Sequence, residues 1–477
     1  MPTLEPDLQR QFAVDVVRKL RDAGHRAYWA GGCVRDQLLG RTPKDYDVAS
    51  DARPEQVRGL FGHRRTLAIG AAFGVIAVLG PPGAGQIEVA TFRSDGPYSD
   101  GRRPDEVVYS SPEEDASRRD FTINALFYDP LDDRVIDYVG GREDIARGLL
   151  RAVGEPVARF EEDKLRMLRA VRFTARFQFA LDPGTLAAIR AMAAQIGVVS
   201  AERIAAEMQS MLVDVHRAHA VRLLFETHLV RQVLPEIAES DPVHQQRLAE
   251  TLEVLERLER PSFPLALAAL VGGWVDGAGA EAIGRRWRLS NPQIERLQWL
   301  VEHQRSLDDG RRQPWSQLQK VLAAEGADDL LDWKDAEAQC GRFDRDLLAW
   351  CRGLRNQPRE RLDPPPLVGG DDLKTLGPPG PWFRRVLAAV RDAQLDGQVH
   401  TREQGLELAQ RLLKSEPATM DKRAKKRIDA VQQRVQRLRQ QLSGARKQND
   451  DPQETAALQR QVAEAEAELA KLKAEGI

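Results

Sequence analysis

An α+β architecture is what this sequence predicts, with a mixed region of strands and helices first and an all-helical region after it. Three observations lead there. Over residues 1 to about 150, short apolar runs of strand length alternate with helical stretches. From about residue 155 the apolar residues recur at helical spacing almost throughout. Beyond residue 415, two stretches of heptad spacing, the first basic and the second acidic, are separated by a polar break.

In the first region, Ala27-Tyr28-Trp29-Ala30 reads as a short buried strand and Val34 to Leu39 as a helix, so Gly31-Gly32 occupies the turn between them. Free backbone N–H groups at such a turn can meet a phosphate chain, and Arg35, one helical turn in, adds positive charge. A Gly-Gly turn with a surface arginine is the plain alternative, because this region carries neither a P-loop nor the glycine fingerprint of dinucleotide-binding folds. Asp45-Tyr46-Asp47 comes next. Alternate residues of a short strand point to one side, so these carboxylates form a pair of hard oxygen ligands. Such a pair suits Mg2+, an ion that usually completes its octahedron with substrate phosphates. The chemistry to which it points is phosphoryl or nucleotidyl transfer. Asp-x-Asp by itself is common in loops and caps, so its surroundings carry the weight.

Gln86 to Arg93 reads as a strand with Glu88 on one face and Ile87 and Val89 on the other, a third acid able to lie beside the two aspartates. Arg118 to Leu126 is expected to open a helix with Arg119, Asp120 and Asn124 at its mouth, residue types that suit phosphates and ribose hydroxyls. In Glu162 to Phe173, the residues Asp163, Arg166 and Arg169 recur every three positions along one side of a helix, apart from the stripe of Leu165, Leu168 and Val171. An ordinary salt-bridged surface has this pattern too. Asp with Arg also presents an acceptor and donors that match the edge of a base.

Pro364-Pro365-Pro366 and the stretch from Gly377 to Pro381 interrupt the helical region and frame Leu367 to Leu373 as an ordered loop. At the end, Ile428, Val431, Val435, Leu438 and Leu442, then Leu458, Val462, Ala465, Leu469 and Leu472, predict an antiparallel coiled-coil hairpin. A plain appendage, an RNA clamp and a dimerisation arm are the alternatives for its purpose.

Taken in order, these motifs resemble the class II tRNA nucleotidyltransferases and bacterial poly(A) polymerases. The residues that carry the likeness are Gly31-Gly32-x-Val34-Arg35-Asp36-x-Leu38-Leu39-Gly40, Asp45-x-Asp47, Arg119-Asp120-Phe121-Thr122-Ile123-Asn124-Ala125, Glu162-Asp163-x-Leu165-Arg166-x-Leu168-Arg169 and Glu202-Arg203-Ile204-x-x-Glu207. It runs from about residue 10 to 415 and thins after about 240. The resemblance implies a polymerase-beta-type nucleotidyltransferase head over 1–150, a helical neck with nucleotide recognition over 151–235, and a helical body and tail for tRNA over 236–415. Residues 416–477 stand apart as the coiled-coil extension.

Carried over position by position, the resemblance implies that Asp45 and Asp47 bind Mg2+; the strand pattern, and not the resemblance, makes Glu88 a further candidate catalytic acid, with a solvated strand residue as its plain alternative. Gly32 and Arg35 would take the triphosphate, and Arg119 and Asp120 the nucleotide sugar or phosphates, with Asn124 expected beside them from its residue type. Asp163 and Arg166 would read the base, with Arg169 and Arg172 in support. CTP and ATP would be chosen by side chains with no nucleic-acid template, and the acceptor end of tRNA would be the partner. Leu67 to Ile76 lacks the basic-aromatic stretch of the poly(A) polymerases, and Ser94 to Ser117, with Tyr98, Arg102, Arg103 and Pro104, is not shortened as in enzymes that add only CC. Full CCA addition is therefore expected, with poly(A), CC-only and A-only addition as alternatives. Some relatives carry a His-Asp phosphohydrolase domain, but Ala266 to Asp276 has no His-Asp pair, and no second metal site is expected. Nothing around Cys33 suggests an activated thiolate.

Composition is compatible with this reading. A chain of 477 residues corresponds to about three domains, and 42% hydrophobic with 30% charged residues is a globular mixture. Three widely spaced cysteines, Cys33, Cys340 and Cys351, fit a reducing compartment and not a disulfide scaffold. With no apolar run of about 18 residues or more and a polar start from Pro2 to Gln9, a cytoplasmic protein without membrane contact is expected. The net charge of -2 is low for a polyanion's partner. Basic stripes at Arg285 to Arg288, Arg311-Arg312, Arg352 to Arg361 and Lys422 to Arg439 are candidates to supply that contact. The oligomeric state is left open.

Overall fold

The computed structural model describes residues 5–70, 74–95, 107–238, 241–377, 380–415, 430–442 and 452–475. Pro6 at the first helical position, Asp7 in the first turn and Lys19 and Arg21 in the last delimit the opening helix, α1 (Pro6–Asp22). Its buried face, Phe12, Val16, Val17 and Leu20, lies on a sheet of seven strands. These are β1 (Ala27–Ala30), β2 (Asp47–Ser50), β3 (Thr66–Gly70), β4 (Val75–Leu79), β5 (Gln86–Thr91), and, after a two-stranded hairpin of β6 (Arg93–Asp95) and β7 (Val107–Tyr109), β8 (Phe127–Asp129) and β9 (Arg134–Ile136). The order across the sheet is β3-β4-β5-β2-β1-β8-β9. Only β2 and β5 are parallel neighbours, so the sheet is mixed. Trp29 on β1 is fully buried, its ring centroid 4.7 Å from Tyr46 and 5.3 Å from Tyr128.

Helices α2 (Gly32–Leu38), α3 (Pro54–Phe61), α4 (Pro112–Ser117) and α5 (Gly141–Arg147) decorate the sheet region. From α6 (Pro156–Glu162) and α7 (Leu165–Phe177) onward the chain is almost wholly helical. One face of α7 buries Leu165, Leu168 and Val171, as the apolar stripe predicts. The chain divides into two compact units, Met1–Arg312 with Val321–Gln357, and Gln313–Lys320 with Pro358–Ile477. Among the described residues no helix is long and apolar enough to cross a membrane.

Local structure departs from expectation at three places. Strand β2 starts at Asp47, so Asp45 and Tyr46 precede it, although the alternation of exposed Asp45, buried Tyr46 and exposed Asp47 is kept. Arg118 to Leu126 is no helix: α4 ends at Ser117, Thr122–Asn124 forms one turn of 3-10 helix, and β8 follows. Tertiary partners override helix there, because Phe121 bridges to Ala152 and the Thr122 N–H donates to the carbonyl of Arg151 at 3.0 Å. Asp163 lies in the break between α6 and α7, with extended backbone at φ -149°. Its carboxylate accepts from the Leu165 N–H at 3.1 Å and so starts the helix from outside it.

In the second unit, Val368, Leu373, Val386, Val390 and Ala409 form a core. The stretch read as a loop contains a short helix, Gly370–Leu373, where the Gly369 N–H donates to Asp372 at 2.8 Å and Arg402 pairs with the same carboxylate. In the helices over 430–442 and Pro452–Glu475, Val431, Val435, Val462 and Ala465 are buried, and Arg439 donates to Glu466 at 2.6 Å. Arg434 lies 3.8 Å from Glu468, so pairing runs in opposite chain directions. Ile428, the polar break at 443–451 and residues 98–104 lie outside the described residues.

Candidate active site

The acidic edge of the site follows from strand register. Parallel pairing sets Asp47 of β2 opposite Glu88 of β5, while Tyr46 turns into the core and leaves Asp45 and Asp47 on the other side. Asp47 keeps contact with solvent. Even so, the burial of its carboxyl, followed by the charges of Asp45 and Glu88, pushes it up to about 6, with Arg119 pulling the other way. Like charges held together with too little countercharge are what a divalent cation relieves. The donors are hard carboxylate oxygens, which fit Mg2+. Among the described residues no group of three or more His, Cys, Asp and Glu is arranged to hold a metal ion, so the two aspartates would need phosphate oxygens and water to complete an octahedron.

Facing this edge is the turn after β1. Gly31 sits at φ +74°, and a Cβ on it would come 2.9 Å from Arg119 Nη1. A side chain there is disfavoured both by the backbone and by the approach of this guanidinium. Gly32 opens α2, and Arg35, 6% exposed, is held by Asp36 Oδ1 at 2.9 and 2.7 Å and by Asn124 Oδ1 at 2.5 Å. Arg119 donates through Nε and Nη2 to Asp115 Oδ2 and through Nη1 to the carbonyl of Asn124. Asp115, 1% exposed, offers its other oxygen to Arg118 at 2.9 and 2.6 Å. Cys33 is buried nearby, and burial pushes its thiol up to about 12, far from thiolate chemistry.

The third wall comes from α7 and its surroundings. Asp120 takes both Nε and Nη2 of Arg169 at 2.9 and 2.6 Å, Asn124 Nδ2 at 3.0 Å and the Phe121 N–H at 2.8 Å. Burial opposes its ionisation, but Arg169 and these hydrogen bonds bring its carboxyl down to about 2. Arg166 donates to Glu162 at 2.5 Å and to the carbonyls of Arg159 and Arg118. Asp163 pairs with Arg203 at 2.6 Å, and Arg172 with Glu207 at 2.6 Å. The Glu202 to Glu207 stretch thus braces both Asp163 and α7.

One cleft of about 710 Å³ brings together Gly32, Arg35, Asp45, Asp47, Arg119, Asp120, Asn124, Asp163, Arg166 and Arg169. Glu88 and Arg172 are not in its wall. Lys44, Arg118, Phe173 and Arg176 also line it and were not singled out from sequence. Asp115, which holds two cleft arginines from behind, was also missed. Its signal is its spacing, three and four residues before Arg118 and Arg119.

Comparison with known proteins adds an independent view. Residues 27–151 match the family described as Poly A polymerase head domain, and residues 178–240 match Probable RNA and SrmB- binding site of polymerase A. The CCA-adding enzyme of Geobacillus stearothermophilus is 34% identical over 404 residues, 83% of this chain and 95% of that protein. Poly(A) polymerase I of Haemophilus influenzae is 38% identical over 238 residues, 47% of this chain and 52% of that protein. Among solved structures, the Bacillus stearothermophilus CCA-adding enzyme in complex with CTP is similar at a TM-score of 0.65 and 29% identity, over 85% of this chain and 98% of that one. The Thermotoga maritima CCA-adding enzyme complexed with tRNA, at a TM-score of 0.58 over 84% of this chain and 95% of that one, is only 19% identical and speaks for the fold alone.

Proposed function

The chain belongs to the class II CCA-adding enzyme and bacterial poly(A) polymerase family, and from that premise we propose that it adds C, C and A to the 3′ end of tRNA from CTP and ATP without a template. The observation that carries this reading is the cleft itself, where the acidic edge of Asp45 and Asp47 meets the arginine-rich walls of α2, the 118–124 segment and α7. Similarity to the Geobacillus stearothermophilus CCA-adding enzyme over 83% of this chain, against 47% for the Haemophilus influenzae poly(A) polymerase, favours CCA addition.

In this reading residues 1–150 are a polymerase-beta-type head, 151–235 the neck, 236–415 the body and tail that hold the tRNA acceptor end, and 416–477 an antiparallel coiled-coil extension. The 3′-hydroxyl of the RNA gives up its proton to water and its oxygen forms a bond to the α-phosphorus of the nucleotide as the bond from that phosphorus to the β-phosphate oxygen breaks, releasing pyrophosphate. Asp45 and Asp47 would hold Mg2+, with Glu88 opposite Asp47 adding negative charge; the ion would supply positive charge against that developing on the attacking and leaving oxygens. The backbone at Gly32, with Arg35 and Arg119, orients the triphosphate. Asp120, Asn124 and Arg169 form one hydrogen-bonded unit beside the sugar, and Asp163 and Arg166 present an acceptor and donors to the base. Arg172 secures α7 through Glu207. Catalysis on this account is positioning and electrostatics.

The test is incorporation by the purified protein with Mg2+ and CTP, ATP or both, on a tRNA lacking its last three nucleotides and on one ending in CC. Addition of C, C and A that then stops is the expected result. Long A tails without use of CTP would make it a poly(A) polymerase. CC alone or A alone would make it half of a split pathway.

A further inference from the structure

Most arginines around the cleft are already matched by an acid. Arg35 pairs with Asp36, Arg118 and Arg119 with Asp115, Arg166 with Glu162, Arg169 with Asp120 and Arg203 with Asp163. A guanidinium neutralised in this way can orient a ligand but brings little uncompensated charge to it. Lys44 and Arg176 line the same cleft and have no acid partner among the described residues. Arg41 is outside that wall but likewise has no acid partner among the described residues. It is exposed, and its guanidinium lies over the Phe177 ring at 5.2 Å, the ring that Arg176 approaches at 5.6 Å and Arg35 at 4.5 Å. Phe177 stacks in turn on Phe173, with centroids 5.9 Å apart.

Aromatic faces attract cations but do not neutralise them, so positive charge accumulates around Phe177. The charge of Arg176 reaches both Arg35 and Arg172, adding to burial in making their protonated forms less favourable. A partner for the helix dipole accounts for Arg176 in the last turn of α7, but not for Arg41 and Lys44. Uncompensated cations beside a pair of metal-suited carboxylates call for an anion. Lys44, next in sequence to Asp45, lines the same cleft as Arg176 and adds a further cation to it.

We propose that Arg41, Lys44 and Arg176 form a phosphate-binding subsite at the Phe177 end of the cleft. It rests on the reading of the cleft as a nucleotidyl-transfer site and extends it to residues outside the motifs. The phosphate belongs either to the nucleotide's polyphosphate tail or to the RNA backbone. The tail is favoured, because Arg35, assigned to the triphosphate, shares the Phe177 ring.

The variants are Arg41→Gln with Arg176→Gln, Lys44→Gln, and the charge-keeping Arg41→Lys with Arg176→Lys. Equilibrium binding of inorganic tripolyphosphate, KM for CTP and for ATP, and Kd for a tRNA lacking CCA at several salt concentrations are measured on the full chain. The glutamine double variant is expected to weaken tripolyphosphate binding and raise KM for both nucleotides about tenfold without altering the preference between them, and the lysine pair to recover most of the loss. If tRNA affinity falls instead, with a salt dependence shallower by roughly one per cation removed, the subsite is also established and the phosphate is the RNA's. Unchanged tripolyphosphate, nucleotide and tRNA binding in the folded glutamine variants would overturn it. A wild-type protein that incorporates neither nucleotide would defeat the proposed function, while tripolyphosphate binding would still decide the subsite.

Discussion

At the residue scale, the cleft sets the exposed carboxylates of Asp45 and Asp47 against an Asp120 already held by Arg169. Asp45 and Asp47 point to hard-metal chemistry only together with the glycine turn and the arginine motifs around them, because Asp-x-Asp alone is common in loops and caps. Asp47→Ala is expected to abolish incorporation of both CTP and ATP while a gel-shift assay still detects tRNA binding; normal incorporation would sink the metal assignment. Arg166→Ala is expected to blur the choice between CTP and ATP, read as the ratio of their kcat/KM values on a tRNA ending in CC. Sequence also identified Asp120, but only the structure reveals that its oxygens are taken by Arg169, Asn124 and the Phe121 N–H. That arrangement has a pH signature. A carboxyl brought from its ordinary 3.8 to about 2 contributes stability that is present above about pH 4 and lost as pH falls toward 2. Thermal melting between pH 2 and 5 should show that acid limb, and Asp120→Asn should flatten it.

At the element scale, periodicity identified the helices and strands whose own residues decide them, and failed where a partner decides. The strand carrying Glu88 was legible because β5 alternates exposed and buried residues up to Val89. The 118–126 segment was not, because its conformation is set by bonds to Arg151 and Ala152, far along the chain. Its turn is also packed from outside by α5, where a Cβ on Gly141 would lie 2.2 Å from the Thr122 carbonyl oxygen. Gly141→Ala must therefore push α5 and the Asn124 turn apart. A loss of about 1–3 kcal/mol in urea unfolding is expected, with a matching fall in incorporation because Asn124 anchors Arg35 and Asp120. An unchanged unfolding midpoint would show that the contact relaxes freely.

At the scale of the whole molecule, the residues of the cleft all fall within the unit formed by Met1–Arg312 and Val321–Gln357. Removal of residues 416–477 is therefore expected to leave addition of C, C and A to tRNA intact in a single-turnover assay. A loss of more than about tenfold, as expected from losing one charge-assisted contact, would assign that C-terminal segment a part in substrate binding. By itself the sequence determined the α+β order of the chain, the acid pair, the glycine turn and the arginine-rich helix, because these depend on residue type and on spacing over a few positions. Only the tertiary structure decided which arginines are neutralised by an acid and which are left with charge to offer. An ion pair joins residues as far apart in sequence as Asp120 and Arg169, and the register of β2 against β5 that sets Glu88 beside Asp47 is a property of the sheet and not of either strand.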